Sequence, residues 1–177
     1  EMLQFALTLD GPSGLRYARG NAPEKHDLVG WDGSREPVRL GKAQTLKAGS
    51  HGAILAYGHM VQTALEAAAS LAAEGIEIEV VNARFCKPLD ESFVIDLCNR
   101  HDRVVTLEDH VKVGGFGSTV LECLAAHGPV RAAVQVMGVP DDIHVHMSRA
   151  QIISHCGLTA EDVAARFRVT KNAAITS

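Results

Sequence analysis

Two kinds of apolar segment alternate along the chain. Short apolar runs over 52–57, 76–83, 103–107 and 132–137 have the length and composition of strands covered on both faces. Between them, apolar residues recur at steps of three and four. Val61, Ala64, Leu65, Ala68, Leu71 and Ala72 trace a helix that Gly75 ends. Phe93, Val94, Leu97 and Cys98 trace another, with Asp90 as its N-cap. Val120, Leu121, Leu124 and Ala125 lie on a third, opened by Gly114-Gly115-Phe116-Gly117-Ser118. Two more helices are expected over 149–155 and 160–168. Strands separated by helices of these lengths predict an α/β fold, a three-layer sandwich with a mainly parallel (mixed) sheet.

The first forty residues follow a different pattern. Residues 1–9 read as a helix stopped by Asp10-Gly11-Pro12, and 15–20 as a short strand closed by Gly20. Residues 21–42, rich in proline, glycine and charge, read as a linker with one strand at 38–40. The chain has 177 residues, 46% of them hydrophobic and 21% charged, with a net charge of −4. That balance suits a folded, soluble domain and excludes a disordered tail or a strongly basic nucleic-acid binder. No apolar run approaches the ~18 residues of a membrane helix, and no signal-peptide pattern opens the chain. Cys86, Cys98, Cys123 and Cys156 form no CxxC pair, which fits reduced thiols in a cytoplasmic protein. The first residue is Glu1 and not Met, as expected of a piece of a longer gene product.

Few local motifs carry chemistry. The glycine run at 114–118 stands where a helix N-terminus meets a strand, a place where phosphates are often cradled. Its spacing is neither GxGxxG nor that of a P-loop, so the preferred reading is a tight turn with close helix–strand packing. His144 and His146 would share one face of a strand, and His110 follows Glu108-Asp109 at a strand end, yet no spacing suits a metal. Cys86 lies between Arg84 and Lys87, two cations able to favour a thiolate, although a buried structural thiol is the preferred reading. No GxSxG nucleophile is present. Arg16 and Arg19 flank Tyr17 and would point to opposite faces of a regular strand. For the one facing inward, a grip on a phosphate or carboxylate and an ordinary salt bridge both stay open.

Taken in order, Asp10-Gly-Pro-Ser-Gly-Leu-Arg-Tyr-Ala-Arg-Gly20, Gly41-Lys42, Ala53-Ile-Leu-Ala-Tyr-Gly58, Val81-Asn-Ala-Arg-Phe-Cys-Lys-Pro-Leu-Asp90, Val105-Thr-Leu-Glu-Asp109, Gly114-Gly-Phe-Gly-Ser118 and Gly138-Val-Pro-Asp141 resemble the C-terminal part of the 1-deoxy-D-xylulose-5-phosphate synthase family. The RFxKPLD and DGPxxxRYxRG elements favour this family over transketolases and over the β subunits of 2-oxo acid dehydrogenases, which share the domain. The resemblance implies a transferase of the transketolase type that joins pyruvate to glyceraldehyde 3-phosphate with loss of CO2, using thiamine diphosphate and Mg2+ as a homodimer. It implies that residues 1–33 are the end of a pyrimidine-binding domain and a linker, 34–170 a transketolase C-terminal domain, and 171–177 a tail. It also implies that Arg16 grips the acceptor phosphate. The family's GDG…N motif, its activating glutamate and its N-terminal active-site histidines have no counterpart here. No catalytic, cofactor-binding or metal-binding residue is therefore expected in this chain, and the chain alone is expected to be inactive. The C-terminal domain of a 2-oxo acid dehydrogenase β subunit or of a transketolase, and a non-catalytic dimerisation or partner-binding domain, are the alternatives.

Overall fold

A computed structural model describes residues 1–17, 36–143 and 145–168. In chain order the elements are α1 (Met2–Ala6), β1 (Gln44–Lys47), β2 (Ala53–Ala56), α2 (Met60–Ala73), β3 (Glu79–Asn82), α3 (Glu91–Arg100), β4 (Arg103–Val111), α4 (Phe116–His127), β5 (Ala133–Val139), α5 (Arg149–His155) and α6 (Ala160–Arg168). The strands form one sheet in the order β1-β3-β2-β4-β5. β3, β2, β4 and β5 run parallel, and β1 lies antiparallel against β3 at one edge. The sheet is mixed and mainly parallel, as the alternation of segments predicts.

Helices cover both faces, so the central strand is apolar at every position. In β2, Ile54 and Ala56 pack with α2 and α6, while Ala53 and Leu55 pack with α3 and α4. All four are buried. Right-handed crossovers between parallel strands put successive helices on opposite faces wherever the chain reverses direction across the sheet. Here α2 carries the chain from β2 to β3 on one side, and α4 carries it from β4 to β5 on the other.

The start of the chain departs from expectation. The first helix is only five residues long and buries nothing. Residues 15–17 are not a strand: Leu15 and Tyr17 are exposed and no ladder pairs them. Alternation therefore does not set the direction of Arg16. Residues 38–40 are also outside the sheet. The edge strand is β1, four residues further on, whose Gln44 and Lys47 gave no apolar pattern. An edge strand has one free side and tolerates polar residues, which hides it from a periodicity search. Arg19, most of the linker, His144 and the tail at 171–177 lie outside the described residues.

Asp90 does precede α3, but its carboxylate does not cap it. The two oxygens accept instead from Lys42 Nζ (2.9 Å), Ala43 N–H (3.1 Å) and Ser92 Oγ (3.2 Å). Gly41 packs beside Pro88 so closely that a Cβ there would lie 2.9 Å from the ring Cγ. The Gly41-Lys42 and Lys87-Pro88-Leu89-Asp90 motifs thus form one clasp that fastens the incoming chain to the sheet edge.

Candidate functional site

β2 and β4 are neighbours whose onward connections leave for opposite faces. In an open α/β sheet this divergence leaves a crevice beyond the carboxyl ends of the two strands. The crevice here has a volume of about 790 Å3, and its walls include Arg16, Tyr57, His59, Arg84, Glu108 and His110. Arg16, the residue the resemblance singles out, is part of the crevice wall. It arrives on an irregular segment and not on a strand.

The floor is built around Glu108. Alternation along β4 puts Val104, Thr106 and Glu108 on the face that α4 covers. The register against β5 then slips between Leu107 and Val111, a bulge that ends the regular ladder beneath the start of the helix. The carboxylate is 1% exposed and accepts the backbone N–H groups of Phe116 and Gly117, each at 2.7 Å. These are the free amides that open α4. Burial pushes the Glu108 carboxyl above its ordinary value, although the Gly117 and Phe116 amides and nearby His110 resist the shift.

The glycines permit this approach. A Cβ on Gly115 would lie 2.3 Å from the Val111 carbonyl, and one on Gly117 would lie 2.5 Å from Val136 Cγ1. The helix end is therefore packed against its own strand. Phe116 turns back to stack on Tyr57, with ring centroids 5.1 Å apart and an interplanar angle of 13°. Burial raises the Tyr57 phenol, Cys86 adding to the effect and Arg16 opposing it.

Two more residues are fixed at the rim. Asp109 accepts both Nε (3.1 Å) and Nη2 (2.8 Å) of Arg149, which ties α5 to the end of β4. Arg84 has φ +57°, the one non-glycine residue in the left-handed region among the described residues. Such a backbone costs on the order of 1–3 kcal/mol. Its N–H donates to Asn82 Oδ1 (3.0 Å), and its Nη2 donates to the Glu36 carbonyl (3.0 Å) and to Gln44 Oε1.

Other candidates take ordinary places. Cys86 is half-buried at the crevice wall, and the Arg84 guanidinium turns from it toward Gln44 and Glu36. All four cysteines are free, and burial pushes Cys98 up to about 11. His146 is exposed. Among the described residues no group of three or more His, Cys, Asp or Glu is placed to hold a metal ion, and no helix is long and apolar enough to cross a membrane. Glu108, Tyr57, Arg84 and Arg149 were not singled out from sequence as site residues. The one available signal was an acid at the end of a strand, six residues before the glycine run that opens the next helix.

This fold, with its crevice at the carboxyl edge, is that of a transketolase-type C-terminal domain. The family model described as "Transketolase, C-terminal domain" matches residues 41–163, and the chain belongs to that family. Among curated proteins, it is similar to 1-deoxy-D-xylulose-5-phosphate synthases. It is 43% identical to the synthase 2 of Geobacter sulfurreducens over 94% of this chain and 26% of the relative. It is 44% identical to the synthase of Heliobacterium modesticaldum over 92% of this chain and 24% of the relative. The synthase of Natranaerobius thermophilus is 36% identical over 92% of this chain and 25% of the relative. The chain therefore spans about a quarter of the length of these synthases. Among solved structures it resembles a split-gene transketolase described as an inactive β4 tetramer, with a TM-score of 0.78 and 33% identity over 94% of this chain and 51% of that one.

Such enzymes depend in general on thiamine diphosphate. The residues of this crevice do not fit a diphosphate at the α4 N-terminus, because the Glu108 carboxylate already takes the amides that would receive it.

Proposed function

We propose that this chain is the C-terminal part of a 1-deoxy-D-xylulose-5-phosphate synthase, a cytoplasmic, homodimeric transferase that condenses pyruvate with glyceraldehyde 3-phosphate with loss of CO2. The observation that carries this reading is 36–44% identity to three such synthases across 92–94% of the chain. Residues 1–33 belong, in this reading, to the end of the pyrimidine-binding domain and its linker, 34–170 to the C-terminal domain and 171–177 to a tail. Thiamine diphosphate and Mg2+ are held by parts of the enzyme outside this chain, so the chain alone is inactive.

Within the enzyme, Arg16 binds the phosphate of the acceptor. The phosphate is remote from the forming carbon–carbon bond and serves as a handle that positions the aldehyde. A planar guanidinium suits it because two parallel N–H donors match two phosphate oxygens.

The test joins this chain to the remainder of its gene product and measures steady-state kinetics with and without Arg16→Ala. A charge-assisted hydrogen bond contributes about 1.5–3 kcal/mol, so acceptor use is expected to weaken roughly 10- to 150-fold. KM for glyceraldehyde 3-phosphate is expected to rise, while pyruvate turnover before acceptor addition is spared. Equal losses with the unphosphorylated aldehyde would show that Arg16 supports the fold and does not read the phosphate. Micromolar binding of thiamine diphosphate and Mg2+ to the isolated chain would overturn the placement of the cofactor elsewhere.

A further inference from the structure

We propose that Arg84 is a second oxyanion-binding residue of the crevice, taking a phosphomonoester there together with Arg16. This rests on the reading of the chain as part of a synthase with a phosphorylated substrate.

Three observations converge on Arg84. The first is charge. Its Nη2 donates only to neutral acceptors, the Glu36 carbonyl at 3.0 Å and Gln44 Oε1. Its Nε and Nη1 donors have no partner, and no carboxylate lies within ion-pair distance of it, among the described residues. Among the described residues Arg100 pairs with Glu79, Arg149 with Asp109 and Arg168 with Glu74, whereas Arg103, away from the crevice, donates like Arg84 to a backbone carbonyl, that of Arg166. A cation moved out of water is normally paired, and the free donors of Arg84 differ from those of Arg103 in lining a cleft that an anion can enter.

The second observation is position. Arg84 leaves the carboxyl end of β3 and lines the same crevice as Arg16. The third is the backbone. A left-handed arginine persists only where its surroundings hold it, and here Asn82 Oδ1 accepts its N–H at 3.0 Å. Strain of this kind gathers at ligand clamps, where aiming a side chain matters more than relaxing the chain. Gln44 and the Glu36 carbonyl fix one edge of the guanidinium and leave the other edge for a ligand. Burial lowers the Arg84 pKa, while Glu36 and Glu1 act on it through space in the opposite direction. It stays charged, as a phosphate site requires.

The competing role is mechanical. The same Nη2 bonds tether residue 36 and β1 to β3, so losing Arg84 could simply loosen the sheet edge. The experiment separates the two. Inorganic phosphate is titrated into the 177-residue chain by calorimetry at low ionic strength, for the native sequence, Arg84→Gln, Arg84→Lys and Gln44→Ala, with acetate as the carboxylate control. Thermal unfolding is recorded for each. Phosphate affinity is expected to fall about tenfold or more in Arg84→Gln and less in Arg84→Lys, which keeps the charge without the fork. Gln44→Ala cuts one tether and leaves the guanidinium, and should bind phosphate within about twofold of the native chain.

Equal losses in Gln44→Ala and Arg84→Gln, following unfolding temperature, would reduce Arg84 to a tether. Acetate binding as tightly as phosphate would overturn the phosphomonoester. Failure of the native chain to bind phosphate at about 10 mM would also sink the proposal. It would leave the synthase reading intact, because that reading is decided by kinetics of the joined enzyme.

Discussion

Glu108 accepts the backbone N–H of Gly117 at 2.7 Å, so β4 supplies from its own end the anion that the next helix would otherwise take from a ligand. The pair explains both the buried carboxylate and the glycine. The carboxylate needs the amides as partners, and the amides come within reach because Gly117 carries no Cβ to strike Val136.

Removing that carboxylate should be costly. Glu108→Ala leaves two buried amides without an acceptor and is expected to lose about 2–4 kcal/mol, with Glu108→Gln intermediate because its amide oxygen still accepts once. The pH dependence gives a sharper check. The Glu108 pKa is raised above 4.5 in the folded chain by burial, so the native state holds this proton more tightly than the unfolded state. Its stabilising contribution is full below about pH 4.5 and is lost as pH rises through the higher native value. Urea unfolding should therefore show the native chain losing stability relative to Glu108→Gln over that window. A pH-independent difference would contradict it.

Gly117→Ala is expected to destabilise by about 1–3 kcal/mol through overpacking against Val136 and Thr106. Val136→Ala in the same chain opens the space and should recover part of the loss. A double variant no more stable than the sum of the two single effects would show that the contact is not the cause.

Glu79 predicts the opposite pH response. Burial favours its neutral form, but hydrogen bonds from Arg100 (2.6 Å) and His101 (2.7 Å) outweigh that and hold its carboxyl below the ordinary value. The contribution is present above the ordinary carboxyl value and is lost as pH falls through the lowered one. Arg100→Met should cost about 2 kcal/mol at neutral pH, discounted for the partly exposed guanidinium, and less in acid. Equal costs at both pH values, measured by denaturant titration, would show that Arg100 acts only through packing on Phe93.

At Arg84 the left-handed backbone itself can be tested. Arg84→Gly and Arg84→Ala both delete the guanidinium and its tethers, but only glycine adopts φ +57° without a steric cost. The glycine variant is expected to be more stable than the alanine variant by about 1 kcal/mol. Parity in thermal unfolding would mean that the turn relaxes once the side chain is gone.

The sequence by itself determined the class of fold and most of its parallel core. Runs such as Ala53–Ala56 must be covered on both faces, and the three- and four-residue steps of Ala64, Leu65, Ala68 and Leu71 leave one apolar stripe to cover them. These are local consequences of period and burial. The ordered motifs also carried the resemblance to the synthases, and with it the interest in Arg16. The edge strand at Gln44–Lys47 escaped because one side of an edge is free and its residues need not be apolar. Tertiary structure alone decided which charges meet. Asp90 is followed by a helix, yet its carboxylate reaches back to Lys42, 48 residues away. Glu108 is eight residues from Phe116, and only the bulge in β4 and the packing of α4 bring its carboxylate under that amide. Pairings of this kind depend on where strands and helices stack, and no periodicity along the chain encodes them.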